Sequence, residues 1–268
     1  MTDFTLVEGV QVSMATSLDT VMSNIGMCKI GGYSYIHDIE DWRELVPIAI
    51  VGGGPSLVDE LDKLRKYKYV MACGSVHDFL CEKGIWPNWT VVCDPDPIVN
   101  NYLKYAKHNT FGGKYLIASQ CSPETFKYLG TNKIYAWDAA GGGVEFPGRT
   151  IPITGGCTVG TRAIIIAHNF GYENIHLFGF DTCIGEKHHA YDFSDESVEN
   201  IGGTMEITLE GDDKKFNVAG YMLGQLFDFK DILSSHAHKI KFTIHGYGLL
   251  KHLMDMSEKQ RQELYKNG

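Results

Sequence analysis

The sequence predicts an α/β fold built on a doubly wound, mostly parallel sheet. Two observations carry this prediction. From residue 46 onward, short apolar runs alternate with segments of helical spacing. Small or acidic residues stand directly after several of those runs, where such folds keep their ligand sites. Size agrees: 268 residues, 44% hydrophobic, suffice for one large core and are short for two full domains.

The elements follow in order. Residues 1–45 read as an N-terminal extension packed on the core, in which SLDTVMSNIGMCKIGG forms a short helix stopped by Gly31-Gly32. Residues 46–268 read as a single Rossmann-like domain. VPIAIV (46–51) is a buried strand, GGGPS (52–56) a turn, and LVDELDKLRKYK a helix. YVMACG (69–74) and WTVVCD (89–94) are strands, each followed by a helix, the second of these being DPIVNNYLKYAKH. KYLIAS (114–119) and KIYAW (133–137) flank the helix SPETFKYLG. A Gly-rich linker (139–149) then leads to TGGCTVGTRAIIIAHNFGY (154–172), a turn and a long apolar helix. NIHLFGFD (174–181) is a strand ending on a carboxylate. The polar stretch after it, about 182–217, is too long for a plain connection and reads as a lid. A helix near 219–233, the strand KIKFTI (239–244) and the helix YGLLKHLMDM close the chain.

Composition removes several classes. Net charge is −9 with no Lys/Arg-rich run, which disfavours a broad nucleic-acid surface. No apolar run reaches the roughly 18 residues of a membrane span, and the start lacks a signal-peptide pattern. The seven cysteines are odd in number, scattered and without a CxxC pair, so a reducing, cytoplasmic setting is expected. There is no GxGxxG, P-loop, G-x-S-x-G or HExxH.

The strand ends hold the chemistry. Gly52, Gly53, Gly54, Pro55 and Ser56 form a turn whose glycines let backbone approach a phosphate at a helix start; a plain tight turn would look the same. Gly74-Ser75 repeats the pattern in brief. Asp94 and Asp96, in a D-x-D arrangement, suit Mg²⁺ or Mn²⁺ bridged to a diphosphate, and equally suit helix capping. Thr154, Gly155, Gly156 and Thr158 open the long helix as a second anion seat. Asp181 either caps a turn or orients a histidine or a substrate hydroxyl. His188 and His189, with Tyr191 close by, fall in the lid, where one of the pair suits a general base. His236 and His238 read as surface residues.

The stretch IAIVGGGPSLVDEL, the strand end CGSVHDFL, and GIWPNWTVVCDP resemble the Maf (motility-associated factor) proteins and the MptE-like 6-hydroxymethylpterin pyrophosphokinases. GGCTVGTRAIIIAHNFGYENIHLFGFD, followed by a His, is similar both to that group and to the small bacterial sialyltransferases that decorate lipooligosaccharide. The resemblance covers about residues 46–195. It implies a Rossmann-like, glycosyltransferase GT-A-like variant with a lid-like insertion. It also implies nucleotide binding at Gly52, Gly54, Pro55 and Ser56 and at Gly156 and Thr158, with Asp181 as the G-x-D carboxylate and His188 or His189 as base.

The expected function is therefore an inverting glycosyltransferase. Its donor would be a CMP- or UDP-linked sugar, and Mg²⁺ or Mn²⁺ is compatible. The acceptor hydroxyl could belong to a glycan, a protein, a small molecule or a modified DNA base, and a homo-oligomer is compatible. Two rivals stand beside it: a Mg²⁺-dependent pyrophosphokinase acting on a hydroxymethyl-pterin-like alcohol, and a nucleotide-binding module without chemistry.

Overall fold

Most of the core strands and helices form where the apolar periodicity predicts them. The computed structural model describes residues 16–39, 46–141, 144, 146, 151–185, 189–191, 203–209, 213–236 and 239–256. Helix α1 (Leu18–Gly31) starts at Ser17, whose hydroxyl accepts the Thr20 N–H at 3.2 Å, and stops at Gly32 in left-handed backbone. Strand β1 (Ser34–Tyr35) follows. The core unit then runs β2 (Ile48–Val51), α2 (Leu57–Leu64), β3 (Tyr69–Cys73), α3 (His77–Glu82), β4 (Trp89–Val92), β5 (Lys114–Ala118), α4 (Pro123–Leu129) and β6 (Lys133–Trp137). After it come α5 (Val159–Asn169), β7 (Asn174–Phe178), β8 (Thr204–Thr208), β9 (Lys215–Ala219), α6 (Gly220–His236) and β10 (Lys241–Ile244). Residues 249–256 are helical.

One segment departs from expectation. Residues 96–108 are not an α-helix but two 3₁₀ turns, Pro97–Tyr102 and Lys104–His108. Asp96 caps the first by accepting the Ile98 N–H at 2.9 Å. The Asp78 carboxylate then accepts the N–H groups of Lys104 (2.8 Å) and Tyr105 (3.1 Å), which a continuous helix would need for its own ladder. Asn100-Asn101, poor α-helix formers, lie within the first of these turns.

Eight strands form one parallel sheet in the order β1-β6-β5-β4-β3-β2-β7-β10. Both faces are covered, so β2 is buried along its whole length. Its side chains divide with period two. Ile48 and Ile50 pack into the larger core with Ile164 and Ile166 of α5, and Ala49 and Val51 into the smaller one with Leu57 and Leu64 of α2. From β2 the chain steps outward through β3, β4, β5 and β6, then returns through α5 to place β7 on the other side of β2. The order therefore reverses between β2 and β7, the place where doubly wound sheets open a crevice. Residues before 46 contribute α1 and β1, the latter adding an edge strand against β6.

Within the expected lid, β8 and β9 form an antiparallel hairpin. The Ile184 N–H donates to the Asn217 carbonyl at 2.7 Å, tying the start of this insertion to its end. Phe216 and Val218 pack there against Met222, Leu223 and Leu249. Among the described residues, no helix is long and apolar enough to cross a membrane.

Candidate functional site at the sheet's switch point

The carboxyl ends of β2 and β7 are laced together. Gly52 N–H donates to the Phe178 carbonyl (2.8 Å) and Gly54 N–H to the Gly179 carbonyl (2.9 Å). A Cβ on Gly52 would lie 2.7 Å from the Gly179 oxygen, and one on Gly54 equally close to that oxygen and to the Asp181 carboxyl carbon. These glycines thus answer to the approach of a neighbouring strand end, a reason separate from phosphate binding. Ser56 is fully buried; its N–H donates to Asp181 Oδ2 at 2.8 Å and its hydroxyl to Oδ1. The Ser56 side chain therefore faces inward, and Asp181 holds the turn rather than a histidine. Burial pushes the Asp181 carboxyl up, and the two Ser56 hydrogen bonds oppose that shift. Pro55 lies beside it, half-buried. Among the described residues the Gly53 N–H has no partner.

Over this turn folds the segment 189–191. The Ala190 N–H donates to the Gly53 carbonyl at 3.0 Å, and His189 Nδ1 lies 3.3 Å from the same oxygen. The Tyr191 hydroxyl shares a 2.6 Å hydrogen bond with Ser75 Oγ, just after Gly74 at the end of β3. The Tyr191 ring stacks on His189, with centroids 5.4 Å apart, and meets Phe79 and Tyr102. Burial drives the Tyr191 phenol far above its ordinary range, so it remains a hydrogen-bond donor. A Cβ on Gly53 would lie 2.7 Å from the Tyr191 hydroxyl. The structure thus brings Gly52–Ser56, Ser75, Asp181, His189 and Tyr191 together. His188 lies outside the described residues.

Asp94 and Asp96 serve their own loop: Asp94 Oδ1 accepts the Asp96 N–H at 2.9 Å, and Asp96 caps the following turn. Among the described residues no three His, Cys, Asp or Glu side chains cluster to hold a metal.

The second glycine turn lies at the start of α5. Thr158 caps α5, accepting the Thr161 N–H at 3.3 Å, and Gly155 and Gly156 adopt φ of 110° and 85°. The anion at this turn is internal: Asp228 of α6 accepts the Cys157 N–H at 2.7 Å. Gly156 is obligatory there, since a Cβ would occupy the space of the Asp228 carboxylate. Thr154 is exposed beside it. Phe180 packs between the first turn and the start of α5: its ring lies 3.4 Å from a Cβ placed on Gly52 and 2.8 Å from one placed on Gly160.

Sequence reasoning missed two residues. Asp228 stands in an unremarkable helical stretch, 71 residues from its partner. Arg162, buried in the first turn of α5, donates to the carbonyls of Ile153 and Ala140, both at 2.7 Å, and so pins the chain leading into the second turn. His236 is likewise not a simple surface residue: it packs edge-on against His168, and its Nδ1 is buried. His238 lies outside the described residues.

The fold has known counterparts. The MAf glycosyltransferase of Magnetospirillum magneticum AMB-1 superposes with a TM-score of 0.61 at 15% identity, over 87% of this chain and 38% of that one. The chain thus spans about 38% of that protein's length, and the likeness is one of fold. The α-2,3-sialyltransferase Cst-I of Campylobacter jejuni aligns at 16% identity over 78% of each chain, and a thiamine pyrophosphokinase of Bacillus subtilis at 14% over 75% of this chain and 60% of that one. Both have a TM-score of 0.35, too loose a fit to build on. A search by sequence among curated proteins finds no match. The description "6-hydroxymethylpterin diphosphokinase MptE-like" matches residues 20–187, well over half of the sequence. By that match, the chain belongs to the MptE-like family.

Proposed function

We propose that this chain is a glycosyltransferase that uses a CMP- or UDP-linked sugar, with His189 as general base at the switch-point crevice. One observation carries the choice of base: His189 Nδ1 lies 3.3 Å from the Gly53 carbonyl. A carbonyl only accepts, so Nδ1 holds the proton and the basic lone pair sits on Nε2. Nε2 takes the acceptor's hydroxyl proton as that oxygen bonds to the anomeric carbon. The bond from that carbon to the phosphate oxygen breaks, the nucleotide leaves with the electron pair, and in-line attack inverts the anomeric centre. In this reading the Gly53 N–H and the hydrogen-bonded Tyr191 and Ser75 hydroxyls would steady the departing phosphate. The shared fold with a named glycosyltransferase supports this reading.

Family membership favours a second reading, pyrophosphoryl transfer from ATP to a hydroxymethyl-pterin-like alcohol. Asp94 and Asp96, both exposed, each retain acceptor capacity beyond their loop bonds. That pair suits a hydrated Mg²⁺ whose remaining oxygens come from substrate phosphates.

The test is nucleotide release from CMP- and UDP-sugars, run beside ATP with Mg²⁺. Release from a sugar donor, lowered about 10²–10⁴-fold in His189→Ala with donor affinity kept, is the expected result. AMP formation only with Mg²⁺ and ATP selects the second reading. Binding without turnover of any donor would leave a nucleotide-binding module.

A further inference from the structure

Three side chains that the proposed reaction does not use meet at one point. Tyr67 follows α2, His176 lies in β7 and His245 follows β10. The Tyr67 hydroxyl lies 2.7 Å from His176 Nδ1 and 3.4 Å from His245 Nε2, and the two nitrogens are 2.9 Å apart. All three residues are half-buried, so solvent reaches them. Hydrogen bonds alone do not satisfy this triangle. A ring nitrogen of a neutral imidazole carries one hydrogen or one lone pair, never both. His176 Nδ1 therefore cannot donate to one neighbour while accepting from the other, and the same holds for His245 Nε2. At most two of the three contacts are ordinary hydrogen bonds at once. A metal ion removes that conflict, because it takes a lone pair from every corner. Bonds of about 2.0–2.1 Å set neighbouring ligand atoms about 2.9–3.4 Å apart, in octahedral and tetrahedral geometry respectively. The three separations agree with that spacing to within about 0.2 Å.

We infer that Tyr67, His176 and His245 bind a divalent transition-metal ion of the imidazole-preferring kind, Zn²⁺ or Cu²⁺, with water completing its shell. Binding releases the phenol proton to solvent and leaves Tyr67 coordinated as phenolate. A tyrosine oxygen is the third corner, so this set stands apart from clusters built of His, Cys, Asp and Glu alone. Glu60 supports the assignment. Its Oε2 is buried and lies 4.0 Å from His245 Nδ1, the ring nitrogen outside the triangle. A carboxylate behind a ligating imidazole holds its N–H and leaves the lone pair on the other nitrogen. Of the lysines nearby, Lys63 is held by Glu60 at 2.8 Å, Lys251 pairs with Asp255, and Lys241 is exposed. None of the three is a buried, unpaired charge set against the ion. The site joins distant parts of the fold. β10 is an edge strand, and the loop after His245 backs the switch point: a Cβ on Gly246 would strike Ser56 Oγ, and one on Gly248 the Asp181 backbone. A bound ion would fasten that strand and loop to the end of α2.

The experiment adds metal to the untagged, metal-stripped full chain, following Zn²⁺ by calorimetry and Cu²⁺ by visible absorption. One tightly bound ion per chain is expected, and Cu²⁺ should show the charge-transfer band of a coordinated phenolate. Zn²⁺ should also raise the melting temperature of the wild type, a measurement that needs no variant. Tyr67→Phe keeps the ring and removes the oxygen, so it should abolish the band and weaken Zn²⁺ by more than about tenfold. Glu60→Gln should keep the band and weaken Zn²⁺ about tenfold, as loss of a supporting carboxylate does. Failure of both ions to bind the wild type at submillimolar concentration overturns the inference. So does binding with the same affinity and the same spectrum in Tyr67→Phe, which would place the ion elsewhere, on a cysteine or a surface histidine. Neither outcome bears on nucleotide release from a sugar donor, so the proposed reaction is tested separately.

Discussion

Ser56 and Asp181, 125 residues apart in sequence, share two buried hydrogen bonds that clamp the turn after β2 to the end of β7. Asp181 is 2% exposed and Ser56 wholly buried, so neither has water to fall back on. Hydrogen bonds to a charged group contribute about 1.5–3 kcal/mol, and orphaning a buried partner costs a similar amount. Asp181→Ala and Ser56→Ala should each lower the unfolding free energy by about 2 kcal/mol. The double variant should lose far less than their sum, because each single change already breaks the pair. Urea denaturation of the four proteins gives the coupling; strict additivity would mean that the clamp contributes nothing.

A second prediction contrasts two glycines. Gly54 is boxed in by Gly179 and Asp181, with 2.7 Å to a hypothetical Cβ, so Gly54→Ala forces the strand ends apart. Overpacking of this kind costs about 1–3 kcal/mol. Gly26 lies in α1 with open space around it, where alanine is the better helix former by roughly 0.5–1 kcal/mol. The melting temperature should therefore fall in Gly54→Ala and rise in Gly26→Ala. Equal effects would deny the close approach at the switch point.

These two positions also show how far the sequence could be read. Apolar runs and capping residues revealed β2 and the stop of α1 at Gly32, because such signals are local. The glycines at 52–54 stood out, but their partner did not. Nothing near Ser56 indicates that Asp181 will meet it, or that Asp228 will fill the second turn, since both contacts are made only when the sheet and α6 are assembled. The 3₁₀ turns at 97–108 escaped for the same reason: a carboxylate from Asp78 decides them. The edge strand β1 is two residues long, too short for any period to show.

Tyr191 supplies a third prediction. Its hydroxyl bonds Ser75 while its ring stacks on His189, so Tyr191→Phe keeps the stack and removes only the donor. Loss of one donor aimed at a developing negative charge costs about 10²-fold in kcat. Tyr191→Phe should show that loss with little change in donor affinity. Because burial holds the phenol protonated, the high-pH limb of the wild-type profile should persist in the variant. Unchanged kcat would remove the proposed phosphate-steadying role and leave Tyr191 a packing residue.

Beneath the crevice, His176 and His245 meet nitrogen to nitrogen at 2.9 Å, and Tyr67 donates or accepts at 2.7 Å from the same His176 Nδ1. Phe178 stacks flat on the His245 ring. The charged groups around the pair are Glu60 and Lys63 of α2, Lys241 of β10 and Lys251 of the closing helix. Burial, the neighbouring His245 and Lys241 push His176 down to about 4, and burial lowers His245 as well, although Glu60 opposes it. Both imidazoles are therefore neutral in the folded protein over a range in which the unfolded chain takes up protons. Stability should be full above pH 6.5, decline as pH falls from there, and level off near pH 4. Water screens this partly exposed pair, so the loss should be about 1 kcal/mol rather than the full amount the shift implies. His176→Gln removes the titrating group and should flatten the curve of urea midpoint against pH between 7 and 4.5. Parallel curves for the two proteins would place the acid sensitivity elsewhere in the fold.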